Sequence, residues 1–60
     1  MNADNTIFVS ALMSDGRVVF TWVSQRDIYE GNTVHGFIDQ SGEMIPVTVN
    51  AGEIVSCEEQ

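Results

Sequence analysis

Apolar and polar positions alternate along most of this chain in short runs with a period of two, the pattern of β-strands. The stretch GRVVFTWVSQRD, Gly16 to Asp27, shows both the pattern and its difficulty. Read as a strand, it sets Val18, Phe20 and Trp22 on one face and Val19, Thr21 and Val23 on the other. Both faces are largely apolar, although a chain of 60 residues can rarely cover a sheet on two sides. Turn signals cut the chain at regular intervals. Ser14-Asp15-Gly16 separates Thr6–Met13 from Arg17–Ser24 and predicts a hairpin with Gly16 left-handed. Ser41-Gly42 separates Thr33–Asp39 from Met44–Val49, and Asn50-Ala51-Gly52 leads into Glu53–Cys57. Pro46 marks its strand as an edge or a bulge. Between the second and third strands, Ser24 can cap a short helical turn around residues 25–30, with Asp27 three residues on and Gly31 at its end. An irregular loop is the alternative there.

Five short strands without a linker or repeat predict one all-β domain over residues 1–60. Its architecture is a small, strongly bent antiparallel sheet or an SH3-like barrel. The hairpin SALMSDGRVVFTWV, the segment VHGFIDQSGEMIPVTV and the ending VNAGEIVSCEE resemble the SH3-like and Sm-like small barrels. The turn Asn50-Ala51-Gly52-Glu53 looks like the short turn before the last strand of those folds. The chain departs from their nucleic-acid binders by lacking basic residues, and from peptide-binding SH3 domains by lacking a dense aromatic groove. In such a barrel the second strand feeds the core from one face, while its other face meets solvent or a partner.

Composition narrows the picture. A chain this short buries only about 60% of its unfolded surface, so the core is thin. Single Cys57 forms no internal disulfide, and no metal-binding spacing of Cys or His occurs, so no cofactor or metal is expected. Self-association or partner binding are the remaining aids to stability. Neither a signal peptide nor a membrane-length apolar run is visible, which with the free cysteine points to the cytoplasm. Beginning at Met1 and polar at both ends, the chain is expected to be complete. Nine acids stand against Arg17 and Arg26, with no lysine, for a net charge of −7. Such a surface repels phosphate backbones and anionic lipid, so neither nucleic acid nor membrane is an expected direct partner.

Candidate chemistry is sparse. His35 shares a strand face with Phe37 and Asp39 and reads as a solvent-facing or cross-strand residue; a metal or catalytic role would need partners brought by the fold. Cys57 reads as a small hydrophobe facing the core or a neighbouring strand. No nucleophile elbow or phosphate-binding glycine loop occurs, and an enzyme is not expected. The core is expected to claim most of the five aromatics, with Phe8 or Phe20 inside and Trp22 or Tyr29 at least partly at the surface. Of the neighbours Leu12 and Met13, only one can point inward.

The charge imbalance therefore leads the functional reading. It predicts a non-enzymatic acidic interaction module that binds a basic surface, such as that of a nucleic-acid-binding protein. Small acidic proteins of this type are similar to the accessory and inhibitor proteins that bacterial viruses direct against host machinery. Trp22, Asp27, Tyr29 and Glu30 are the expected contact residues, since a loop on a rigid sheet is where binding usually lies. Reversing Asp27 and Glu30 to Lys is expected to abolish binding and leave the fold intact. The alternative is a homo-oligomer assembled through strand edges or through the apolar second face of VVFTWV.

Overall fold

The computed structural model describes residues 5–60. Five strands form one antiparallel sheet: β1 (Ile7–Met13), β2 (Val18–Val23), β3 (Thr33–Gln40), β4 (Glu43–Asn50) and β5 (Ile54–Glu59), in the order β4-β3-β2-β1-β5. A helix α1 (Gln25–Glu30) joins β2 to β3, and a 3-10 turn over Ala51–Glu53 joins β4 to β5. Strand limits differ from the sequence reading by one or two residues at most ends.

Both hairpins are set by local chemistry. At the first, Gly16 N donates to Met13 O and Met13 N donates to Arg17 O, with Gly16 at φ 93°. At the second, Ser41 (φ 55°) and Gly42 (φ 83°) form the left-handed two-residue turn whose twist matches the strands it joins. Helix α1 is fixed by its ends. Ser24 Oγ accepts from Asp27 N, Asp27 Oδ2 accepts from Ser24 N, and Gly31 closes the helix in a left-handed conformation.

Strand order and chain connectivity together force the sheet to coil. Asn50, at the end of β4, pairs with Thr33 at the start of β3. Ile54, at the start of β5, pairs with Met13 at the far end of β1. In a flat sheet those ends would lie about 28 Å apart, four strand spacings across and a strand length along. The four chain steps from Asn50 to Ile54 span at most about 14 Å. The tip of the β1–β2 hairpin must therefore curl toward the 3-10 turn, and Ser14 does bond Glu53 there, N to O at 2.8 Å and Oγ to Oε1 at 2.6 Å.

The inner face of this coil holds the core: Val9, Ala11, Met13, Val19, Val23, Val34, Val49 and Ala51, with Ile28, Ile38, Val47 and Ile54 packed against it. Met13 points in and Leu12 out. Thr21 is buried among them, its Oγ1 donating to His35 O at 2.9 Å. Between β2 and β3 the backbones approach closely at Gly36, where an added Cβ would lie 2.7 Å from Phe20 O. One expectation fails here: no aromatic belongs to the core. Branched aliphatics fill so narrow a coil, and Phe8, Phe20 and Phe37 all face outward.

Candidate functional site

The outer face of the sheet answers the question raised by VVFTWV. The inner residues Val19, Thr21 and Val23 are buried, whereas Val18 and Trp22 are 45% and 62% exposed and Phe20 is half-buried. Register extends this face across four strands. Phe8 lies opposite Trp22 and Leu12 opposite Val18 on β1. Phe20 faces Phe37, which in turn faces Pro46, so a row of three apolar rings crosses from β2 to β4. Met44, half exposed, continues the face along β4. The Phe8 and Trp22 rings pack at 5.3 Å between centroids and 49° between planes, a tilted aromatic pair held on the surface. No other element of the described chain lies over this face: α1 packs at the opposite side, through Ile28 on the core and against the 3-10 turn.

Acidic groups edge the apolar face. Asp39 lies opposite Met44 at its β3–β4 end, and Glu58 lies opposite Ser10 at its β5 margin. Asp15 sits at the β1–β2 turn, where Arg17 N and Nε donate to its two oxygens at 3.0 and 2.8 Å. The Arg17 backbone N–H is the main cause holding its carboxyl below the ordinary value. His35 stands on the same face, with Nδ1 3.3 Å from Thr48 Oγ1 across the β3–β4 pair, a cross-strand histidine.

The four expected contact residues do not form one site. Trp22 belongs to the apolar face, while Asp27, Tyr29 and Glu30 lie on α1 or its first turn. Asp27 serves the fold. Beyond its capping bond, its Oδ1 accepts from Asn32 Nδ2 at 3.1 Å, and that bond is the main cause of its lowered pKa, followed by the Ser24 backbone N–H. Reversing Asp27 would therefore uncap α1, so Glu30 is the residue whose charge can be reversed without that cost. Glu30 approaches Arg26 Nε at 3.6 Å and Asn32 Nδ2 at 3.4 Å. Tyr29 is 91% exposed. Sequence reasoning counted Phe37 as an anchor of either core or interface and left open which of Leu12 and Met13 points inward, but did not single out Val18 or Met44 as surface residues. Their signal was the two-sided apolar alternation of β2, which requires either a second layer or an uncovered face.

His35 and Cys57 are kept apart. His35 is on the outer face of β3, and Cys57 is on β5 opposite Ala11, an inner-face residue. Cys57 is exposed, contrary to the expected packing role, because β5 is an edge strand and, among the described residues, no further strand lies beyond it to cover the side chain. Among the described residues, no three His, Cys, Asp or Glu side chains converge as metal ligands. No described helix is long and apolar enough to cross a membrane. No protein-family model matches the chain, and neither a curated protein nor a solved structure matches it.

Proposed function

We propose that this chain is a non-enzymatic protein-interaction module, an acidic small barrel of SH3-like or Sm-like type, that docks a basic surface of another protein through its outer sheet face. The observation that supports this reading is the uncovered apolar band from Leu12 to Met44 on a chain of net charge −7. A small soluble domain rarely exposes a contiguous apolar patch without using it. Aromatic centres with charged rims are the usual anatomy of protein interfaces. Acidic margins would steer a basic partner, such as a nucleic-acid-binding protein in the cytoplasm, and a viral accessory or inhibitor protein would act in this way.

The test is binding to an immobilised panel of purified nucleic-acid-binding proteins at low and high salt. One partner held by the parent chain, and lost with Trp22→Ser, supports the reading. A Glu30→Lys or Tyr29→Ala chain that binds as well as the parent moves the contact off α1 and onto the sheet face alone. Failure of every basic partner to bind sinks the proposal.

Homo-oligomerisation is the second reading, favoured by the same uncovered face. The register weighs against its edge-paired form. Gln40 and Glu43 flank the tight turn, so ladder alternation points the Pro46 nitrogen away from β3, toward the open side of β4. An incoming strand would meet a missing donor there. Light scattering across concentration and salt separates the two readings: a monomer supports the first, and a salt-resistant assembly the second.

A further inference from the structure

We infer that the cleft between the diverging ends of β2 and β3 is an anchor site for one large apolar side chain, presented beside a lysine or arginine on an extended segment of a partner protein. This rests on the reading of a basic partner given above.

The cleft follows from the coiling of the sheet. β3 and β4 stay paired along their whole length, from Thr33–Asn50 to Gln40–Glu43. β2 and β3 are bridged only at Phe20–Phe37 and Thr21–Gly36. Past that point the β1–β2 hairpin turns toward the 3-10 turn, where Ser14 is tied to Glu53, and β2 leaves β3 behind. The gap has a volume of about 420 Å³ and is lined by Arg17, Val18, Phe20, Ile38, Asp39 and Gln40. That volume lies at the small end of ligand-binding sites, room for one side chain and the backbone on either side of it.

Three features define the occupant. Val18, Phe20 and Ile38 make the lining apolar, which selects an aliphatic or aromatic anchor. The lips are charged unequally: the Arg17 guanidinium is already paired with Asp15 at 2.8 Å, whereas Asp39 faces it as an acid with Gly42 N on Oδ1. A cation beside the anchor is therefore favoured at the Asp39 lip, within the field of a chain carrying −7. The third feature is the backbone. In an antiparallel ladder alternate residues turn their N–H and C=O toward the same neighbour. Phe20 and Phe37 are paired, so Val18 and Asp39, two residues on, turn theirs into the cleft, where no bridge joins them. An extended segment can bond to those groups as an added strand. A second copy of this chain is a poor occupant. It would bring −7 against −7, and its two arginines already lie beside acids of their own chain, Arg17 by Asp15 and Arg26 by Glu30.

The experiment is an NMR titration of the isotope-labelled full chain with three short synthetic peptides: alternating Lys-Leu, alternating Lys-Ser and alternating Glu-Leu. The expected result is saturable binding of the Lys-Leu peptide alone, with the largest amide shifts at Val18, Phe20, Ile38 and Asp39. Asp39→Lys should weaken that binding about tenfold by turning attraction into repulsion at the lip. Val18→Lys, at a residue that is half exposed, should do the same by filling the cleft with a charge. Equal binding of Lys-Leu and Lys-Ser, with shifts on α1 or scattered over the acids, overturns the cleft assignment and leaves the basic-partner reading standing. Silence toward both lysine peptides overturns both. Equal binding of Glu-Leu overturns the charged lip.

Discussion

Gly36 is where the path of β3 against β2 is most tightly set, and adding a single methyl there tests that account. A Cβ on Gly36 would stand 2.7 Å from Phe20 O, 2.8 Å from Val19 Cγ1 and 2.9 Å from Thr21 Cβ. Each separation is about 0.5 Å or more inside ordinary carbon contact distance. None of the three atoms is the free end of a flexible side chain: one is backbone oxygen, and the other two belong to β-branched residues buried in the core. The strands must separate, and β2 and β3 have only two bridges to lose. Overpacking of this kind costs typically 1–3 kcal/mol, and the backbone clash puts Gly36→Ala near the upper end, about 3 kcal/mol. A domain of this length has a total stability of roughly 3–9 kcal/mol. Thermal unfolding followed by far-UV circular dichroism should show a fall in Tm of about 12–24 °C, at about 4–8 °C per kcal/mol for so small a domain. A fall of less than about 4 °C would refute the reasoning, because β2 and β3 would then have slack that the structure does not show.

Two further predictions concern the turns. The Asp27 carboxyl is held below the ordinary value of 3.8 by Asn32 and the Ser24 N–H, so its contribution to stability is complete above that value and is lost as pH falls through the lowered folded pKa. Asp27→Asn should lower stability at neutral pH by about 1 kcal/mol and flatten the acid limb of a urea-midpoint-against-pH profile; a limb unchanged from the parent would count against the capping role. Ser41 occupies a left-handed position at φ 55° that asparagine adopts more readily. Ser41→Asn should therefore raise Tm by a few degrees, about 0.5 kcal/mol, and a lowered Tm would argue for a different turn.

Legibility in the sequence followed the range of the forces involved. Both hairpin turns, the capped helix between Ser24 and Gly31, and the five strands were readable because a few neighbouring residues determine them. The edge position of Pro46 was readable for the same reason, since a missing N–H is excluded from a central ladder wherever the strand falls. The period of two also showed that Val18, Phe20 and Trp22 share a face, as they do.

Which face became the core was decided by the tertiary structure. The short link from Asn50 to Ile54 coils the sheet so tightly that small branched residues fill the inside, and the aromatics are left on the outer face. Cys57 became exposed because strand order placed β5 at an edge, and order is a property of the whole chain. Asp27 changed from a candidate contact to a cap once Asn32 was seen to bond it. The cleft beside Phe20 exists only because the β1–β2 hairpin bends away while β3 and β4 remain paired. Alternation and turn residues fix what each segment is; the curvature that decides which surface is hidden and which is offered comes from closing all the segments against one another.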